Sequence, residues 1–305
     1  MRINLNDIRL DIYENLKRGS SGETLAKKYG LSRVSIWKFV KKLEEFGYKV
    51  SREKGYKIVE IPDPSPYDMA LACRKGLSKY IKDFYFFDEI DSTNRFAKTV
   101  DQAVVVAKKQ LQGRGRLGRR WESPDGGLYM SISLNLNVPI GEIPKVTLIT
   151  GLAVCRALKE FDARIKWPND ILIKGKKVSG ILCEFVGEEL SAKIIVGIGV
   201  NVKNEIPPYL RDKAASLGTL SINEVFTRII SEIGILLERF EKGEWSKILS
   251  ELKELMDTIG KRVTVRIANN EYSGVAIDID EDGALILKNG EIKKVISGEC
   301  FYTNY

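Results

Sequence analysis

Along this chain the spacing of apolar residues changes twice. In residues 1–61 it is helical. "NDIRLDIYENLKRG" repeats apolar positions at helical intervals, and "GETLAKKYG" reads as a short helix closed by Gly30. "RVSIWKFVKKLEEFGY" places Ile36, Val40 and Leu43 on one face behind an N-cap at Ser32. "KVSREKGYKIV" then alternates as a hairpin with "EKG" at its tip. Helix, helix, helix, hairpin is the order of a winged helix-turn-helix. Next comes "IPDPSPYD", whose Pro62, Pro64 and Pro66 predict an extended linker over 62–67.

From 68 to 257 strand and helix patterns alternate. "FYFFDEI", "AVVVAKK", "LYMSISLNL", "KVSGILCEFV" and "KIIVGIGVNV" read as strands. "PKVTLITGLAVCRALKEF" and "NEVFTRIISEIGILLERFEKG" read as helices. A mixed sheet with helices packed on it follows. The long apolar "KIIVGIGVNV" suggests an exposed edge that pairs with its copy in a homodimer. From 258 to 305 the pattern shortens to "KRVTVRI", "EYSGVAIDID", "ALILKN" and "EIKKVISG". Turns carrying "NN", "EDG" and "NG" separate them, so a small SH3-like barrel is predicted.

Composition narrows the chemistry. Among 305 residues, 49 Lys and Arg outweigh 41 Asp and Glu, so a net charge of +8 suits anionic partners. There is no histidine, which excludes Ser-His-Asp triads, Cys-His dyads and histidine-held metals. The four cysteines, Cys73, Cys155, Cys183 and Cys300, form no C-x-x-C pair. Free thiols in a reducing cytosol account for them, and a cytoplasmic location is expected. "MRINLNDIRLDIYENL" is broken by charges and is no signal peptide, and no apolar run spans a bilayer.

The first section carries a DNA-binding pattern. The second helix of a helix-turn-helix presents its first turns to the major groove. Arg33, Ser35, Trp37 and Lys38 lie there, and Arg52 and Lys54 stand on the wing, within reach of phosphates. The same fold can also serve protein contacts.

"KKQLQGRGRLGRRWE", residues 108–122, holds Gly113, Gly115 and Gly118 at G-x-G-x-x-G spacing. It is not a dinucleotide fingerprint, because a strand and no helix follows. Nor is it a P-loop, because Arg119 and Arg120 stand where Lys and Ser or Thr belong. What remains is a loop offering Arg114, Arg116, Arg119 and Arg120 to an anion, with Trp121 beside them. Four clustered cations predict a loop that is disordered when empty and folds around its ligand.

"GRGRLGRRW" resembles the signature loop of biotin protein ligases. "DSTN" (91–94), "KWPND" (166–170), "GKKVSGILCE" (175–184) and "GIGVNV" (197–202) resemble that family's other motifs, in order. The resemblance covers the whole chain and is to the bifunctional biotin protein ligase and biotin operon repressor family. It implies an α+β multidomain protein with a winged helix-turn-helix (1–61), a linker (62–67), a biotin/lipoate-ligase-like domain with mixed sheet (68–257) and an SH3-like barrel (258–305). It implies that biotin and ATP form biotinyl-5'-AMP and that a lysine of a biotin carboxyl carrier protein is then biotinylated. It implies further a homodimer that binds operator DNA as a repressor.

Site residues follow from the same resemblance. Lys177, Arg114 and Arg116 would act on the reacting groups. Ser92, Thr93, Asn94, Gln110, Gly115 and Gly180 would join them around biotin. Arg116, Arg119, Trp121, Asn169 and Asn201 would meet ATP, and Asp170 could help place Mg²⁺. The family's barrel can lend a basic residue near its last strand, but "ISGECFY" has none. Three alternatives stay open: a ligase whose winged helix is no repressor, a lipoate- or octanoate-handling relative, and a ligand-sensing repressor without enzymatic activity.

Overall fold

The structure is a computed structural model and describes residues 1–136, 140–187 and 193–303. After a short strand, β1 (Arg2–Asn4), come α1 (Ile8–Arg18), α2 (Gly22–Tyr29), α3 (Arg33–Glu45) and the hairpin β2 (Lys49–Ser51) and β3 (Lys57–Glu60). Ser32 caps α3, its hydroxyl accepting from the Ser35 N–H at 3.0 Å. Ile36, Val40 and Leu43 are buried, as their spacing requires.

Two features tie this domain to the next. β1 pairs antiparallel with β4 (Asp83–Ile90), Arg2 opposite Tyr85, so it is an edge strand of the central sheet rather than part of the winged helix. The terminal amino group donates to the Phe86 carbonyl at 2.7 Å, and Arg2 reaches the Asp83 carboxylate with two N–H groups. Three residues are too few for a period-2 pattern to announce them. The proline segment, expected as an extended connector, is bonded along its length. The Asp63 carboxylate accepts from the N–H groups of Ile222 (3.1 Å) and Asn223 (2.9 Å) and pairs with Lys203 at 3.2 Å. Ser65 donates its N–H to Asn223, and its hydroxyl meets that of Tyr48 at 2.6 Å. Tyr48, Tyr13, Phe39 and Tyr67 form an aromatic cluster across the junction.

The central unit runs α4 (Pro66–Leu77), β4, α5 (Thr93–Ala97), β5 (Ala103–Gln110), β6 (Leu128–Asn135), α6 (Ile143–Ala157), β7 (Arg164–Lys166), β8 (Asp170–Ile173), β9 (Lys176–Val186), β10 (Lys193–Val200), α7 (Ile222–Glu241) and α8 (Trp245–Glu254). The sheet order is β1-β4-β5-β6-β10-β9-β8-β7, parallel between β4 and β5 and antiparallel elsewhere. β10, expected at an exposed edge, lies between β6 and β9 and is paired along its length on both sides. Its continuous apolarity is that of an interior strand, buried on both faces, and not of a pairing edge.

The last unit holds β11 (Arg262–Ile267), β12 (Asn270–Ile279), β13 (Leu285–Asn289), β14 (Glu291–Val295) and β15 (Glu299–Tyr302) in one antiparallel sheet, ordered β14-β13-β12-β11-β15. The expected strands are present, and "ECFY" adds a fifth. Trp167 locks this unit to the central one: its backbone N–H donates to Thr258 (2.9 Å) and its indole N–H to the Gly283 carbonyl (3.1 Å). No described helix is long and apolar enough to cross a membrane.

Asp63 caps the longest helix from outside its own sequence neighbourhood. Replacing it with Ala removes two N-terminal hydrogen bonds and an ion pair, at a cost of about 1–2 kcal/mol. A thermal melt of Asp63→Ala should show a lower midpoint than the parent; an unchanged midpoint would remove Asp63 from the junction.

Candidate active site

A cavity of about 200 Å³ opens between the β9–β10 face of the sheet, the arginine loop and β15. Ser92, Thr93, Asn94, Gln110, Arg114, Gly115, Arg116, Arg119, Trp121, Asn169, Asp170, Lys177 and Gly180 all line it, so the scattered sequence candidates converge. Asn201 does not. Its side chain is buried and accepts from Asn204 at 3.1 Å, away from the cavity wall.

One end is a polar network. The strand-to-helix turn at "DSTN" presents Thr93, whose N–H and hydroxyl both donate to Gln110 Oε1 (2.8 and 3.0 Å). Gln110 Nε2 donates one N–H to Ser123 at 3.0 Å, and among the described residues its other N–H has no acceptor. Asn94 donates to Glu184 at 3.0 Å and accepts from Ser131 at 2.5 Å, while Lys98 pairs with Glu184 at 2.8 Å. Burial pushes the Glu184 carboxyl up, but hydrogen bonds from Lys98 and Asn94 outweigh it and hold the group below its ordinary value. Sequence reasoning missed Ser123, Ser131, Glu184 and Lys98. In "SIS" and "CEF" the polar residues look like the solvent face of an ordinary strand, and only the fold turns that face toward the cavity.

The arginine loop is closed on itself. Trp121 donates its N–H to the Gly113 carbonyl (3.0 Å), Gly115 donates to the Arg119 carbonyl (2.7 Å), and Arg114 and Arg120 stand opposite one another. Carboxylates stand near two of its cations. Glu299 of β15 pairs with Arg119 and Glu122 lies 3.6 Å from Arg120. Arg116 donates to Asn169 Oδ1 (3.1 Å) and the Gly298 carbonyl (3.2 Å). Burial lowers the Arg116 pKa from the ordinary guanidinium value, against the pull of Asp170 and Glu299. An anion entering here meets a desolvated charge of fixed direction.

Trp121 is seated on two paired glycines. Gly180 and Gly199 face each other across β9 and β10. A Cβ at Gly199 would lie 2.5 Å from the indole, and one at Gly180 2.9 Å from it. Gly180 therefore shapes the floor by letting the ring lie down. The ammonium of Lys177 stands 5.2 Å from the ring centroid and 2.6 Å from Asp170 Oδ1. Asn169 is fixed by its donation to the Ile181 carbonyl at 2.8 Å. Cys183, on the same strand, is no nucleophile: burial pushes its thiol up to about 11. The cavity thus joins a hydrogen-bonding polar end, an aromatic floor and a cationic wall.

On the winged helix, Arg33, Trp37 and Lys38 are exposed on one end of α3. The Ser35 hydroxyl turns back to Ser32 at 2.9 Å. Arg52 is drawn to Glu44 at 2.6 Å, whereas Lys54, at the wing tip, is in no ion pair among the described residues.

Because Glu184 has a lowered pKa, the order it gives the polar end is complete above the ordinary carboxylate range and is lost as pH falls through the lowered value. The acid limb of the unfolding curve of Glu184→Gln should be shallower than the parent's; superimposable limbs would show that Glu184 carries no such linkage.

The Biotin/lipoate A/B protein ligase family matches residues 86–201, the Biotin protein ligase C terminal domain matches 258–302, and an HTH domain matches 8–57. The Bifunctional ligase/repressor BirA of Bacillus subtilis (strain 168) is 33% identical over 303 residues, covering 92% of each chain. The Escherichia coli (strain K12) protein of the same name is 29% identical, covering 96% of this chain and 97% of that one. Among solved structures, the biotin protein ligase from Aquifex aeolicus in complex with biotin and ATP aligns with a TM-score of 0.64 at 31% identity. That match covers 73% of this chain and 99% of the other. With relatives of this identity along nearly its whole length, and with the winged helix in front, the chain belongs to the biotin protein ligase family in its bifunctional ligase/repressor form.

Proposed function

We propose that this chain forms biotinyl-5'-AMP from biotin and ATP and transfers the biotinyl group to a lysine of a biotin carboxyl carrier protein. In the same reading it acts as a biotin-responsive repressor on operator DNA, in the cytoplasm. The observation that carries the enzymatic half is the position of Lys177 and Arg116, set between the polar end and the barrel on one cavity wall. A biotin carboxylate oxygen attacks the α-phosphorus, the bond to the bridging oxygen breaks, and pyrophosphate leaves. In the second step the carrier amine attacks the acyl carbon, AMP leaves and the amine loses its proton. Two anions must approach in the first step, and fixed cations offset their repulsion. No side chain need act as nucleophile, which suits a chain without histidine.

Ser92, Thr93, Asn94 and Gln110 would take the polar head of biotin, since Gln110 holds a spare donor in a fixed direction. Arg114, Gly115 and Arg116 would wrap the acyl-phosphate region. Lys177 would turn from Asp170 to bridge the carboxylate and the α-phosphate. Trp121, Arg119 and Asn169 would meet the nucleotide. Asn201 supports that end from behind, since its carbonyl accepts from Leu217. Asp170 is engaged by Lys177, and among the described residues no group of three His, Cys, Asp or Glu side chains is set to cage a metal. Mg²⁺ would therefore be held mainly by the phosphates of ATP, with Asp170 at most assisting.

The domain limits proposed are 1–61, 62–67, 68–257 and 258–305, with β1 crossing from the first into the sheet of the third. A ligand-linked homodimer is part of the reading. Two-fold pairing would set two α3 helices on two half-sites, so that weak contacts add on one duplex.

Lys177→Ala should lower biotin-dependent pyrophosphate release by about 100-fold or more, the usual size of one lost charge-stabilising group. Its circular dichroism should match the parent's, and near-parental release would end the assignment.

In the intact chain, Arg33→Ala with Lys38→Ala should abolish sequence preference for DNA and leave pyrophosphate release unchanged. The parent should sediment as a heavier species with biotin and ATP present, and its DNA affinity should rise with them. A monomer at all loadings, or DNA affinity indifferent to the two substitutions, would leave a ligase without a repressor.

A further inference from the structure

The cavity's cations differ in what holds them. Lys177 is committed to Asp170, Arg119 to Glu299, and Arg116 to Asn169 and the Gly298 carbonyl. Lys166, at the end of β7, also lines the cavity, but its nearest neighbour of note is a ring: its ammonium lies 4.5 Å from the centroid of Tyr302 in β15. Among the described residues it is in no ion pair. A second ammonium, Lys261, stands 4.3 Å from the same centroid. That charge is neutralised, since Lys261 pairs with Asp257 at 2.6 Å. Asp257 also accepts the Tyr302 hydroxyl proton at 2.7 Å, which fixes the ring from below. The arrangement orients two lysines on one aromatic ring and gives a carboxylate to only one of them. The charge of Lys166 is left for a ligand.

We propose that Lys166, held over Tyr302, is the cation that receives the departing phosphates of the nucleotide, and that Tyr302 is its positioning residue. This rests on the ATP reading above. In-line displacement sends the leaving group away from the attacking oxygen. The biotin head belongs to the Ser92–Gln110 end, so pyrophosphate is directed to the opposite end, where Lys166 and the β15 backbone form the wall. A compact ammonium matches a phosphate as a point charge, and an aromatic ring steadies it without neutralising it, as a carboxylate would. The last strand has no basic residue of its own. It supplies instead the ring that aims a lysine from the central sheet.

The test measures KM for ATP, kcat and the biotin dissociation constant on the intact chain. Lys166→Ala should raise KM for ATP about tenfold, the worth of one charged hydrogen bond, with biotin affinity unchanged. Lys166→Arg should recover most of it. Tyr302→Leu, which removes the ring, should raise KM for ATP about threefold to tenfold. Tyr302→Phe, which keeps the ring but loses the bond to Asp257, should raise KM less than Tyr302→Leu does. In a Lys166→Ala background Tyr302→Leu should add nothing. The proposal is overturned if Lys166→Ala leaves KM for ATP unchanged or weakens biotin equally, or if the two losses add in full. Among the described residues the Lys166 ammonium makes no side-chain hydrogen bond, so Lys166→Ala keeps the test decisive should Tyr302→Leu fold poorly. If the parent itself consumes no ATP with biotin, the ATP reading fails; if it does and Lys166→Ala matches it, only this inference fails.

Discussion

Six cationic side chains face one cavity of about 200 Å³, and holding them together without a ligand is the constraint on which the rest of the structure depends. At such separations like charges repel by about a kilocalorie per mole or more, rising as water is excluded. The fold answers four of them in four ways. Glu299 meets Arg119, Asp170 meets Lys177, an amide and a carbonyl meet Arg116, and a ring meets Lys166. None of these partners is a buried carboxylate matched in full to its cation. An anionic ligand can therefore displace them without leaving an unpaired buried charge behind.

That constraint explains why the C-terminal sheet is docked where it is. Gly298 and Glu299 reach the arginine loop, and Tyr302 reaches Lys166, so one strand serves three cations. The lock between Trp167 and the Gly283 carbonyl, in the turn between β12 and β13, holds the C-terminal sheet against "KWPND". The opposite end follows a different logic. There Thr93, Gln110, Asn94 and Ser131 are neutral and fix one another's orientation, so little ordering would be left for binding to supply.

Most of the fold was legible because its long elements are strongly periodic: α3, α7 and the paired strands carry their burial in their spacing. Short elements were not. β1 and β15 have three and four residues and owe their pairing to neighbours distant in sequence. The position of β10 was misread because a continuous apolar run does not say which side it is covered on. The loop's counter-charge was not legible for a related reason: Glu299 lies 180 residues from Arg119 in the chain. The convergence of "DSTN", the arginine loop, "KWPND" and Lys177 was legible through family resemblance. The supporting Glu184, Ser131 and Tyr302 were not, since nothing in their local sequence distinguishes them from ordinary strand residues.

The two ties between the winged helix and the central unit bear on how a ligand could affect DNA. β1 is hydrogen-bonded into the sheet and Asp63 caps α7, with the tyrosine cluster packed between. Swinging the winged helix as a rigid body would break both ties and expose Tyr13 and Tyr67, which are buried completely or nearly so. Burial of that much aromatic surface is worth several kcal/mol, more than the 1–3 kcal/mol of a typical coupling between sites. Re-aiming the winged helix as a rigid body therefore costs more than a typical coupling between sites supplies. Lys203, two residues beyond Asn201, pairs with Asp63 at this same junction.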